Sequence, residues 1–277
     1  MSGGEGIEWR MGGTLVRPNF PLVMGIINTT PDSFHAASRH AHVDAALLSA
    51  EHMVAEGATI LDVGGASSRP GAHEVSGREE ISRAVPVVRA IRDRFPEVII
   101  SIDTWRADVA AEAVAAGANM VNDITAGRGD PAMLATVAGA GVPYILMHMQ
   151  GGPMTMQVAP HYGDVLAEVL HFLSERALAA HQAGIADVLV DPGFGFGKTT
   201  EHNFALLNGL SALCNLGFPV VAGLSRKRMI NEVLGTTPAE ALNGTTVLNT
   251  RALLAGASVL RVHDVREAVE AVKLCTT

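Results

Sequence analysis

A chain of 277 residues accommodates two small domains or one large α/β barrel, and a composition 48% hydrophobic and 17% charged excludes disorder as its main state. A net charge of −8 with few aromatic residues argues against a nucleic-acid partner, and the apolar runs are cut by Gly, Pro or charge too soon to span a membrane. Two cysteines, Cys214 and Cys275, make neither a disulfide framework nor a metal-ligand spacing, so free thiols in a reducing cytoplasmic interior are expected.

Residues 1–20 read as an N-terminal extension or short hairpin, followed by a barrel domain over 21–277. The first predicted strand, 22–27, ends at Asn28 ahead of Thr29-Thr30-Pro31-Asp32-Ser33-Phe34. Apolar residues at helical spacing over 43–57 stop at a glycine, and 59–63 is the next strand, with Gly64-Gly65-Ala66-Ser67-Ser68-Arg69-Pro70-Gly71 as its loop. A helix over 78–94 leads to a strand at 98–103, and an alanine-rich helix over 107–116 leads to 120–123. A short helix at 132–140 precedes the strand 144–148, and a longer one at 165–183 precedes 187–191. The next helix, 203–215, leads to the strand 220–224, directly followed by Ser225-Arg226-Lys227-Arg228. A helix over 239–255, a strand over 258–263 and a last helix to about 273, capped by Asp264, complete the pattern.

Eight strand–helix units with short connections imply a parallel sheet with right-handed crossovers. They close most naturally into a single (β/α)8 TIM barrel of the α/β class, an open doubly wound sheet being the alternative. Active sites of barrels lie at the C-terminal ends of the strands, where Asn28, Asp62, Asp103, Asn122, His148, Asp191, Lys227, Arg261 and His263 all fall. Taken singly, each is explained as a cap or a satisfied core polar group; together they outline one rim.

That rim contains no Ser-His-Asp order, no zinc spacing and no cysteine nucleophile, so covalent catalysis is not expected. The loop Asp191-Pro192-Gly193-Phe194-Gly195-Phe196-Gly197-Lys198 is not a phosphate loop, which needs a glycine where Pro192 stands, nor a dinucleotide loop, which needs one at Lys198. Arg69, Lys227, Arg261 and His263 come from three loops yet face one cavity, which suits a phosphate or pyrophosphate; the competing reading spends Arg69 and Arg261 on acids such as Asp32 or Asp264. Asp103, Asn122 and Asp191 suit a flat heterocycle with an amidine edge, because a carboxylate accepts two parallel N–H groups and an Asn both donates and accepts. Lys227 would meet a ring carbonyl. A heterocycle and an anion in one site point to transfer chemistry with phosphate or pyrophosphate leaving.

Several blocks, in this order, carry a resemblance to the dihydropteroate synthase family over about residues 22–272. They are Asn28-Thr29-Thr30-Pro31-Asp32-Ser33-Phe34, Asp62-Val63-Gly64-Gly65, Ser67-Ser68-Arg69-Pro70-Gly71, Ser101-Ile102-Asp103-Thr104, Met147-His148-Met149-Gln150-Gly151, the Asp191–Lys198 loop, Ser225-Arg226-Lys227 and Arg261-Val262-His263-Asp264. The resemblance implies a folate-pathway transferase that joins 6-hydroxymethyl-7,8-dihydropterin pyrophosphate to p-aminobenzoate, forming dihydropteroate and releasing pyrophosphate. It implies pterin contacts at Asp103, Asn122, Asp191 and Lys227. Pyrophosphate would be held at Asn28, Ser68, Arg69, Arg261 and His263, with Val262 in the same substrate-binding block and Mg²⁺ bound through Asn28. Catalytic roles would fall to Arg69, Asp103, Lys227, Arg261 and His263. The amine substrate, which sulfonamides mimic, would pack near Phe196, Pro70 and the helix that starts after Ser225. A homodimer through outer helices is a further family expectation.

The sequence departs from the family pattern at His35-Ala36-Ala37-Ser38, where an acid and a glycine pair are usual, at Ala66, and at Arg228, where relatives carry a small hydroxyl residue. A pterin-binding methyltransferase would have the acids but not the pyrophosphate cluster, and a non-catalytic pterin-binding paralogue is favoured by the altered first loop alone.

Overall fold

The computed structural model describes residues 8–29, 36–66, 75–152, 156 and 160–277, with backbone alone over 36–41. It begins with an antiparallel hairpin of β1 (Trp9–Met11) and β2 (Thr14–Val16). Eight parallel strands follow: β3 (Leu22–Asn28), β4 (Ile60–Gly64), β5 (Ile99–Asp103), β6 (Met120–Asp123), β7 (Tyr144–Met147), β8 (Val188–Asp191), β9 (Val221–Ala222) and β10 (Val259–Val262). They lie in the order β8-β7-β6-β5-β4-β3-β10-β9. The two ends of that order meet, since Val190 bridges Val220 and its N–H donates to the Pro219 carbonyl at 3.0 Å. The sheet therefore closes into a TIM barrel rather than remaining an open wound sheet.

The connecting helices are α1 (Ala36–Glu56), α2 (Gly77–Arg94), α3 (Ala107–Ala115), α4 (Met133–Ala140), α5 (Val165–Gln182), α6 (Thr200–Asn208), α7 (Leu210–Cys214), α8 (Arg228–Leu234), α9 (Leu242–Leu254) and α10 (Val265–Cys275). The helix expected over 203–215 is in fact two, broken at Gly209, where an added Cβ would collide with Leu166. The helix expected from 239 is a 3₁₀ turn, Pro238–Glu240, followed by α9. Among the described residues, no helix is long and apolar enough to cross a membrane.

Side-chain alternation along the strands builds the site in tiers. One face of each strand joins the large core shared with the helices, through residues such as Val63, Ile102, Val121, Leu146, Val190 and Val262. On the inner face, Met24, Ile60, Ile99, Met120, Ile145, Leu189, Val221 and Val259 fill the barrel floor. The hairpin seals that floor from below with Trp9, which is 1% exposed and meets Phe20 edge to face at 5.5 Å, and with Met11. Two residues beyond the floor layer, the inner face carries Asp62, Ser101, Asn122, Met147, Asp191, Gly223 and Arg261. An apolar plug thus supports a polar tier held away from bulk water.

Candidate active site

The polar tier opens into a cleft lined by Asp103, Asn122, Ile124, Met147, Asp191, Gly193, Phe194, Phe196, Gly223, Lys227 and Arg261. Arg261 is its hub. Its Nε donates to Asp62 Oδ2 and its Nη2 to Asp103 Oδ2, each at 2.6 Å, while Asn122 Nδ2 donates to the same Asp62 oxygen at 3.1 Å. Asp62 is fully buried and its Oδ1 has no hydrogen-bond partner among the described residues. Burial by itself would pull the Arg261 guanidinium down, but Asp62 and Asp103 more than reverse this, so it stays charged. Burial pushes Asp103 up to about 7 against the opposing pull of Arg261.

Asp191 ends β8 and accepts the Gly193 N–H at 2.6 Å through Oδ1. Its other oxygen faces Gly223, where even an added Cβ would stand 3.9 Å away, so the approach to the carboxylate is open. Burial raises the Asp191 pKa, and the Gly193 N–H and Lys227 work against that rise. Lys227 is lowered to about 8, first by burial and then by Arg261, and its Nζ lies 4.4 Å from the Phe196 ring centroid. Two carboxylates, Asp103 and Asp191, therefore share the cleft with two cations, above the buried Asp62, in surroundings dry enough to make each charge strongly felt. One wall is apolar: Ile124, Met147, Met149, Met156 and Phe196 cluster with Trp105 against them.

The loop after β8 depends on its glycines. Gly193 and Gly197 have φ of +68° and +62°, and a Cβ on either would run into the carbonyl oxygen of His148 or Gln150. Above β9, Ser225 Oγ lies 3.0 Å from His263 Nδ1 and accepts the His263 N–H at 3.2 Å. Arg226, held at φ 56°, forks onto Asp264 at 2.9 and 2.7 Å, which ties the β9 loop to the adjacent β10 loop at the rim.

The sequence-derived site residues divide accordingly. Asp103, Asn122, Asp191, Phe196, Lys227 and Arg261 converge on the cleft; Asn28 and His263 stand exposed at the rim. Val262, expected in the substrate-binding block, turns its side chain into the outer core instead, because it alternates with the inward Arg261. Ser68, Arg69 and Pro70 lie outside the described residues, as does the first loop from Thr30 to His35. His148 is buried beneath the loop after β8 and pairs with Lys198 rather than facing the cleft. Asp264 does not cap α10 with its side chain, since Arg226 takes the carboxylate. Arg228 forms an exposed i,i+4 ion pair with Glu232. The sequence reading missed the roles of Arg226 and Lys198, and their place directly beside Lys227 and the glycine loop was the available signal.

Among the described residues, no group of three or more His, Cys, Asp or Glu is gathered to hold a metal. A family described as pterin binding enzymes matches residues 24–263. The dihydropteroate synthase of Escherichia coli strain K12 is 47% identical over 264 residues, covering 95% of this chain and 93% of its own. A Xanthomonas albilineans dihydropteroate synthase solved with 4-aminobenzoic acid superposes with a TM-score of 0.89 at 44% identity, covering 98% of both chains. A structure of the enzyme from the same organism in complex with 7,8-dihydropteroate gives 0.85 at 40% identity, covering 97% of both.

Proposed function

Since the chain belongs to the pterin-binding enzyme family and, within it, to the dihydropteroate synthases, we propose how its rim divides the work of that reaction among named residues. The enzyme is a transferase of folate biosynthesis that joins 6-hydroxymethyl-7,8-dihydropterin pyrophosphate to p-aminobenzoate, giving 7,8-dihydropteroate and pyrophosphate. The observation that carries the assignment is the tier of Asp62, Asp103, Asn122 and Asp191 set against Lys227 and Arg261 in one cleft with an apolar wall.

Asp191, through the oxygen that faces Gly223, accepts from the amidine edge of the pterin, Asn122 reads the next polar atom, and Lys227 meets the ring carbonyl. As the C–O bond to pyrophosphate breaks, positive charge develops on the pterin methylene and ring, where the acids stabilise it. Arg261 spans the two charges: Nε and Nη2 hold the acids, and Nη1 has no hydrogen-bond partner among the described residues. With Arg69 and His263, it receives the negative charge of the leaving group. The amine nitrogen then forms the new C–N bond and releases a proton, so no side chain need act as nucleophile. The carboxylate of p-aminobenzoate suits the start of α8 beside Ser225, where unpaired N–H groups and the helix dipole favour an anion.

Mg²⁺ fits this arrangement because Asn28, whose neutral side-chain oxygen stands at the exposed rim, would hold it there and leave room for substrate oxygens and water. When bound there, it would neutralise charge on the departing pyrophosphate. Arg69→Ala is expected to lower turnover by about a hundredfold while leaving affinity for a pterin that lacks pyrophosphate nearly unchanged; equal losses in both would contradict the role given to Arg69.

We also assign the protein to the cytoplasm, consistent with its two free thiols, and to a homodimer. Support for the dimer comes from Val233 and Leu234 on α8 and Val247 and Leu254 on α9, apolar side chains between 52% and 74% exposed on outer helices. Light scattering is expected to return twice the chain mass, and a monomer at micromolar concentration would refute it.

A further inference from the structure

We propose that Lys198 is a positioning residue for the pterin site: from beneath the cleft, its ammonium ties the loop over 193–197 to the end of β7 and so fixes where Asp191 and Phe196 meet the ring. The proposal deepens the transferase reading above and rests on it. Lys198 is 4% exposed. Its Nζ lies 2.9 Å from the Gly193 carbonyl oxygen, 3.1 Å from that of Phe196, 3.3 Å from that of His148 and 2.9 Å from His148 Nδ1. A buried ammonium is costly unless its protons are satisfied, and burial lowers Lys198 to about 7 against the pull of Asp191; here the acceptors that hold the charged form are two carbonyls from opposite ends of one loop and two atoms of the neighbouring loop's histidine.

His148 is built to accept. Burial first, and then the Lys198 charge, pull its imidazole down to about 3, so the ring is neutral and Nδ1 can present a lone pair. The remainder of the loop is fastened in the same way: Gly195 N–H donates to Asn203 Oδ1 and Tyr162 Oη–H to the Gly197 carbonyl, each at 2.7 Å. Neither Lys198 nor His148 lines the cleft, whereas Asp191, Gly193 and Phe196 do. Losing the ammonium would free the Phe196 carbonyl and leave the Gly193 carbonyl held by the Phe196 N–H alone, at 3.1 Å. The loop could then shift the Gly193 N–H that orients Asp191 and the Phe196 ring that faces Lys227. Sub-ångström placement of this kind decides whether the Asp191 contact to the ring forms.

The test compares Lys198→Met, His148→Leu and His148→Asn with wild-type protein, using calorimetric binding of a pterin that lacks pyrophosphate and, separately, inhibition of turnover by inorganic pyrophosphate. Lys198→Met is expected to weaken pterin binding about tenfold while pyrophosphate inhibits as before. His148→Leu should weaken pterin binding in the same sense, and His148→Asn, which keeps an acceptor near Nδ1, should restore it. Should Lys198→Met fail to fold, the two His148 variants carry the same comparison. Pterin affinity unchanged in Lys198→Met, or pterin and pyrophosphate weakened in parallel, would overturn the proposal alone. Wild-type protein that binds no pterin would instead overturn the reading beneath it, and the proposal with it.

Discussion

Asp191→Ala is expected to reduce affinity for the pterin by about a hundredfold or more, since a desolvated donor pair on the ring would be left without its acceptor. The effect is large because the substitution removes both carboxylate oxygens from an edge otherwise bounded by an apolar floor and wall. Oδ1 of Asp191 is already occupied by the Gly193 N–H, Oδ2 faces the opening at Gly223, and the surroundings are closed by the barrel floor and the apolar wall. Water admitted into the gap would satisfy part of the donor pair, which sets the lower end of the range. Asp191→Asn should fall in between, keeping an oxygen acceptor but losing the charge that favours the cationic transition state. Calorimetry with a pterin lacking pyrophosphate isolates the contact from the leaving group, and unchanged affinity in Asp191→Ala would remove Asp191 from the pterin site.

Arg261→Met should cost both stability and turnover. The guanidinium is the counterion of two carboxylates, one of them wholly buried, at 2.6 Å each. Removing one partner of a buried ion pair strands the other, at about 3–5 kcal/mol. For a chain of this size that lowers the melting temperature by about 10 °C. Asp103 and Asp62 would then have no cation between them, and Asp103, already raised to about 7, would rise further because the opposing pull of Arg261 is gone. The double variant Arg261→Met with Asp62→Asn should recover part of the stability and none of the turnover. A melting temperature within about two degrees of wild type for the single variant would show that the triad is not coupled as its geometry implies.

The barrel is legible in the sequence because each of its units repeats the same signal, an apolar run ended by a polar group and followed by a helical period. The polar tier follows from it, since Asp103, Asn122, Asp191 and Arg261 sit at strand ends by count alone. What could not be read is which partner each charge takes. Arg261 is expected at pyrophosphate, and no local pattern announces that it is also anchored to Asp62 and Asp103, acids 199 and 158 residues away in the chain. Asp264 occupies a helix-start position, yet its carboxylate goes to Arg226, whose left-handed backbone no local pattern announces. Val262 fell into the substrate block through its neighbours, although strand alternation turns it outward. Lys198 could be set aside as a failed phosphate-loop lysine because two of its four acceptors belong to His148, on a different loop. The two loops whose sequences depart from the family pattern lie largely outside the described residues, so Arg69 is argued from sequence and chemistry.

The central claim is that this rim breaks a pterin–pyrophosphate bond and transfers the pterinylmethyl group to an aromatic amine. Purified protein incubated with 6-hydroxymethyl-7,8-dihydropterin pyrophosphate, with and without p-aminobenzoate and Mg²⁺, tests it directly by following pyrophosphate and dihydropteroate. The account predicts Mg²⁺-dependent pyrophosphate release, matched by dihydropteroate when the amine is present. Tight pterin binding with no release under any of these conditions would contradict it.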